Sequence, residues 1–131
     1  MSAVLVLCDD LMFTSKVTAT GRAAGVAVGV ARAAAATVQR ATAEPPACVI
    51  VDLHNAGLDL PQLLAELRAG CPAMPRVIGF GSHVNKELLD AARLAGCDLV
   101  LPRSQFVKQL EDKIAEWART SSPCKDVPNA D

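Results

Sequence analysis

Short apolar runs recur along the chain, and each breaks off at a charge, a glycine or a proline. Val4-Leu5-Val6-Leu7 ends in Cys8-Asp9-Asp10, and Val26-Ala27-Val28-Gly29-Val30 alternates around a glycine. Cys48-Val49-Ile50-Val51 ends in Asp52-Leu53-His54, Arg76-Val77-Ile78-Gly79-Phe80 ends in Gly81-Ser82-His83, and Leu99-Val100-Leu101 ends in Pro102-Arg103-Ser104. Runs of this length, rich in β-branched residues and bounded by turn formers, read as strands buried on both faces. The stretches between them carry helical spacing. Residues 11–24 form a helix that is weak on local propensity, because Thr14, Thr18, Thr20 and Gly21 lie inside it. Packing must hold it, through Leu11, Val17 and neighbouring small residues, and Asp9 or Asp10 caps its start. Residues 33–43 are alanine-rich. Pro61 stands at a first helical position ahead of Leu63, Leu64 and Leu67. Asn85 caps a helix carrying Leu88, Leu89, Ala92 and Ala95 and stopped by Gly96, and the last helix carries the stripe Phe106, Leu110, Ile114 and Trp117. Trp117 is expected to be the member of that stripe left partly exposed.

Five strand-helix units in alternation mean a parallel sheet with helices on both faces. Right-handed crossovers make the doubly wound order 2-1-3-4-5 the expected one at this size. The 131 residues suit one domain, expected over residues 1–120, followed by a flexible tail over 121–131 where Ser, Pro, Lys, Asp and Asn dominate.

Composition narrows the function. A chain that is 51% hydrophobic is not a disordered segment. Its formal net charge of -1 gives no footprint for nucleic acid. No apolar run is long enough to span a membrane, and the start lacks the basic region of a signal peptide, so the expected place is the cytoplasm. The five cysteines are scattered, form no C-x-x-C and no Cys/His cluster, and read as small buried hydrophobes in a reducing compartment.

The chemistry gathers at the carboxyl ends of the strands, where open parallel sheets bind their ligands. In the order 2-1-3-4-5 strands one and three are neighbours, so Asp9, Asp10 and Asp52 are expected to meet. Clustered carboxylates need an offsetting proton or cation, and a hard divalent ion such as magnesium or manganese takes oxygen ligands. Arg103 after the fifth strand brings a fixed positive charge to the same rim. Acid, metal and fixed cation suit phosphoryl transfer, with Asp52 as the nucleophile that forms an acyl phosphate. The plainer alternative is that these acids only cap helices and solubilise the rim.

The blocks Val4-Leu-Val-Leu-Cys-Asp9-Asp10, Val49-Ile-Val-Asp52-Leu with Leu58-Asp59 downstream, Ala92-x-x-Ala95-Gly96-Cys97 and Leu101-Pro102-Arg103 resemble, in order and spacing, the receiver domain of bacterial two-component response regulators. The resemblance covers about residues 3–119. It implies a flavodoxin-like fold and a signalling role in a phosphorelay rather than an enzyme. It implies Asp52 as phosphate acceptor, and a magnesium ion held by Asp9, Asp52 and the backbone carbonyl of His54, with Asp10 as an auxiliary. It implies a histidine kinase or phosphotransfer protein as donor. Output is then through protein contacts on the face of the fourth helix, fifth strand and fifth helix, where Lys86, Arg93, Lys108 and Asp112 lie, with homodimerisation as one form of contact.

The chain departs from the family pattern at defined places. Cys8 falls where the first acid belongs. Gly81 falls on the hydroxyl position after strand four, leaving Ser82 one place late as its candidate substitute. Val100 falls on the switch aromatic, Arg103 on the lysine, Ser104 on the proline that follows it, and Ala56 on the proline of the loop after the acceptor. An arginine keeps the charge in a wider, flatter head. These changes describe an atypical receiver with acceptor retained and switch degraded, or a pseudo-receiver that binds a partner without phosphate. Asp52-x-His54-x-x-Gly57 also matches the D-x-H-x-x-G signature of cobalamin-binding domains, although two strand-helix units precede it and the later glycine pair is missing. A flavodoxin-type electron carrier fits less well, since acids after strand one would repel a flavin phosphate. His83 reads as a solvated rim histidine.

Overall fold

The computed structural model describes residues 3–119; the tail expected over 121–131 lies outside them. The elements alternate as β1 (Val4–Leu7), α1 (Leu11–Ala23), β2 (Val28–Ala31), α2 (Ala34–Ala43), β3 (Cys48–Asp52), α3 (Leu60–Gly70), β4 (Arg76–Gly81), α4 (Lys86–Ala95), β5 (Leu99–Pro102) and α5 (Arg103–Trp117). The strands form one parallel sheet in the order β2-β1-β3-β4-β5. This is the flavodoxin-like doubly wound arrangement expected from the sequence. β1 and β3 pair directly, Leu7 opposite Val51, so the loops after them share one rim.

The pleat divides the core in two, because successive strand residues point to opposite faces. Leu5, Leu7, Val49, Val51, Val77 and Val100 pack with the helices α2, α3 and α4. Val4, Val6, Cys48, Ile50, Ile78, Phe80 and Leu101 pack with Phe13 and Val17 of α1 and with the stripe of α5. On this second face Phe13, Phe80, Phe106 and Trp117 form a continuous aromatic stack, with successive ring centroids 4.5, 5.0 and 5.6 Å apart. Trp117 is therefore buried, with 3% of its surface exposed, against the expectation that it would show. A residue three beyond Ile114 still lies on the buried stripe, and its ring closes the stack on Phe106.

Leu11 was expected to anchor α1, yet it is 60% exposed, and Phe13 with Val17 does the anchoring. The register follows from the cap: Asp10 is the N-cap, its carboxylate accepting the N–H groups of Met12 and Phe13, and this start turns Leu11 outward. β2 begins two residues later than its alternating pattern suggested, although the Ala27 carbonyl already accepts N–H groups from Ala3 and Val4. Pro61 is the second helical residue of α3 rather than the first, since Asp59 caps the helix. Asn85 caps α4 and Gly96 ends it in a left-handed conformation at φ 119°, both as expected.

Gly21 shows why α1 tolerates a poor helix former. A Cβ there would run into Val28 Cγ2 and lie 3.1 Å from the Val26 carbonyl oxygen, so the glycine lets α1 sit close against the chain entering β2. Helix propensity alone favours alanine at an interior position by about 1 kcal/mol. The packing conflict outweighs it, since forcing a methyl into a filled site costs about 1–3 kcal/mol. Gly21→Ala should therefore lower the stability read by urea denaturation; a gain would show that this contact is not limiting.

Candidate functional site

The site sits on the rim where β1, β3 and β5 end. Asp52 closes β3, and its place in the pleat turns it to the α1/α5 side of the sheet, the side of Cys8 and Phe80. α5 begins at Arg103, directly after β5, so its first side chain reaches the same spot. Asp52 is 4% exposed. A carboxylate that buried needs partners, and it has three. Its Oδ1 accepts the backbone N–H of His54 at 2.9 Å. Its Oδ2 accepts from the Cys8 thiol at 3.4 Å and lies 3.8 Å from Arg103 Nη2.

Arg103 serves two acids at once. Its Nη1 lies 3.8 Å from Asp10 Oδ2 while Nη2 faces Asp52. Its guanidinium also lies over two aromatic rings, 5.1 Å from the Phe13 centroid and 5.3 Å from that of Phe80. The rings carry a negative face, so the cation is held from below as well as from its rim. A planar head with donors on two edges can span two carboxylates in this way, which a compact lysine ammonium does less readily.

Cys8 stands between these groups. Burial is the main cause that pushes its thiol up to about 11; the Asp10 N–H opposes this, and the carboxylates of Asp52 and Asp10 add to it. At neutral pH Cys8 is thus a protonated donor to Asp52, and not a lost ligand alone. Its Sγ also receives the backbone N–H of Asp10 at 3.5 Å.

The other candidate residues divide. Asp10 joins the site, through its N-cap bonds and Arg103. Asp9 is exposed and takes part in none of these bonds among the described residues, so the expected meeting of three acids does not occur. Ser82 does not contact Asp52 through any hydrogen bond among the described residues; its hydroxyl oxygen accepts the Val84 N–H at 3.3 Å. The side chain whose role here the sequence did not foretell is His54, weighed there for its carbonyl and as the histidine of a cobalamin signature. Its Nε2 accepts the Ser82 backbone N–H at 2.9 Å and so ties the loop after β3 to the loop after β4. Gly81 makes the room, since a Cβ there would lie 3.2 Å from His54 Nε2 and 3.4 Å from Leu89 Cδ2. The pairing of a histidine two residues past Asp52 with a glycine at the end of β4 was the available signal. Cobalt ligation through His54 Nε2 would break this bond. His83 is exposed, as expected.

A magnesium ion at this rim would meet Asp10 and Asp52 already engaged by Arg103. Among the described residues no three His, Cys, Asp or Glu side chains come together as a metal group. The position beside Asp52 holds a protonated thiol, a soft and neutral group where a hard cation needs oxygen. The positive charge that offsets Asp10 and Asp52 comes from Arg103.

No family model and no curated protein matches the chain. Solved structures do. The receiver domain of NtrX from Brucella abortus superposes with a TM-score of 0.75 at 24% identity, over 91% of this chain and 99% of that one. A response-regulator signal receiver domain from Bermanella marisrubri gives 0.75 at 22%, over 91% and 100%. The signal receiver domain of NarL from Mycobacterium tuberculosis gives 0.73 at 22%, over 89% and 95%. The likeness spans the whole of those domains and establishes a receiver-type fold. No helix among the described residues is long and apolar enough to cross a membrane.

The thiol generates a pH signature. A group whose folded-state value lies above its ordinary 9.0 stabilises the fold fully below pH 9 and loses that contribution as pH rises toward about 11. Cys97, pushed to about 11 by burial and by Asp98, acts in the same direction, and the chain has no tyrosine to add to the slope. Unfolding free energy from urea titrations should fall between pH 9 and 11. Cys8→Ala should make that fall shallower; an unchanged slope would mean that Cys8 ionises as freely in the fold as outside it.

Proposed function

We propose that this chain is a receiver-type signalling module, not an enzyme, that acts through protein contacts and does not require phosphate on Asp52. The observation that carries this reading is the bridge Asp10–Arg103–Asp52, with the Cys8 thiol closing it. In a receiver with a working switch, a metal and a phosphoryl group organise the loops around the acceptor. Here a protein cation supplies the charge, and the His54–Ser82 bond supplies the link between the loops after β3 and β4. The module is built as if held in one state.

Its output surface, on this reading, is the face of α4, β5 and α5. Arg93 ties α4 to the strand by donating to the Val100 carbonyl at 3.4 Å while pairing with Asp90 at 2.8 Å. Lys86, Lys108 and Asp112 are exposed on it, and Leu94 of α4 is 89% exposed. On this reading Leu94 and these charges would supply the apolar and polar parts of the contact. A partner protein, or a second copy of the chain, would dock there.

One observation favours a second reading, in which Asp52 accepts phosphate from a histidine kinase or phosphotransfer protein. Arg103 stands beside a carboxylate at the end of β3, as a phosphate partner must. Incubation with acetyl phosphate and magnesium separates the two. The intact mass should stay unchanged in both the parent protein and Asp52→Asn. A phosphate adduct on the parent that is missing from Asp52→Asn would overturn the phosphate-independent reading and establish the second.

A further inference from the structure

Next to the bridged carboxylates the rim opens into a wide, shallow cavity of about 830 Å³. His54, Ser82 and His83 reach it from the loops after β3 and β4, and Arg103, Val107 and Lys108 from the first turns of α5. Two properties mark it. Every titratable side chain that lines it is a base, with no carboxylate among them, and most of the surface it presents is carbon, with Val107 its one apolar side chain. Two other grooves among the described residues fail one test or the other. The one between α3 and α4 carries Asp59 and no cation, and the one at Arg40 is lined by Glu44 as well.

The charges are not equally engaged. Arg103 is occupied by Asp10 and Asp52. Lys108 is exposed and makes no ion pair among the described residues. An ammonium left over at the edge of an apolar hollow is matched by a ligand with the opposite pattern. Small-molecule sites are of this size, about 300–1,000 Å³, with a few polar groups that fix orientation.

We infer that this cavity is a binding site for a small organic anion, a carboxylate or sulfonate on an apolar body. The anionic head pairs with Lys108, within reach of the rim hydroxyls. The apolar body lies over Val107 and the imidazole faces of His54 and His83. A bare inorganic anion would satisfy the lysine and leave the apolar wall wet, so the organic body is part of the claim. Such a ligand bridges the loop after β4 to α5, and so bears on the face proposed for partner contact. The site stands whether or not Asp52 takes phosphate, and its test does not involve that residue.

The probe is 8-anilino-1-naphthalenesulfonate, titrated by fluorescence into the full chain under conditions where its circular dichroism shows it folded. N-phenyl-1-naphthylamine serves as the neutral counterpart and inorganic phosphate as the competitor. The sulfonate should bind saturably at one site. Lys108→Glu should weaken it by about tenfold or more, the scale of one charge-assisted contact. Lys16→Glu, an exposed charge reversal on α1, should leave it unchanged, and millimolar phosphate should not displace it. Absence of saturable binding, equal loss in both charge reversals, equal affinity for the neutral probe, or displacement by phosphate would each overturn the proposal.

Discussion

Burying Asp52 at the end of a central strand is the constraint to which the site answers. A carboxylate with 4% of its surface exposed cannot stand unpaired, because the desolvation of a lone charge costs several kcal/mol. The chain meets it with a backbone N–H from His54, a protonated thiol from Cys8 and a guanidinium from Arg103. Each of these follows from position. The pleat puts Cys8 and Asp52 on one face of adjacent strands, and β5 delivers Arg103 to that face as the first residue of a helix.

The same cation joins the site to the core. Arg103 rests over Phe13 and Phe80, and those rings begin the aromatic stack that runs through Phe106 to Trp117. The rim and the α1/α5 face are thus one cooperative unit, in which the first and last helices are fixed to the same strand ends. Beside it His54 fastens the loop after β3 to the loop after β4. These two fastenings are what the proposed one-state reading rests on.

The fold was legible because parallel strands buried on both faces leave a plain trace: short apolar runs at regular intervals, each cut off by a polar residue. The strand order needed only the handedness of crossovers and the size of the chain. What the pattern did not carry was side-chain direction at the edges of helices. Leu11 looked like an anchor because it is apolar, but the cap at Asp10 sets the helix phase and exposes it. Trp117 looked like an edge residue because it comes last, but it closes a stack that no linear reading displays. At the site Asp52, Asp10 and Arg103 were found from strand ends alone. Asp9 was grouped with them as a strand-end acid and, through the family resemblance, as the first metal ligand, but neighbours leaving a strand face opposite ways. His54 and Gly81 were separately visible, and only their contact across two loops gives either a meaning.

The central claim is that Arg103 holds the place of a metal at this rim. The most direct measurement is a magnesium titration of the folded protein followed by ¹H–¹⁵N correlation spectra. The amides of Asp9, Asp10, Leu53 and His54 should show no saturable shift, only the gradual drift of changing ionic strength. A saturable shift confined to those amides, and abolished by Asp52→Asn, would contradict the account and restore the divalent site.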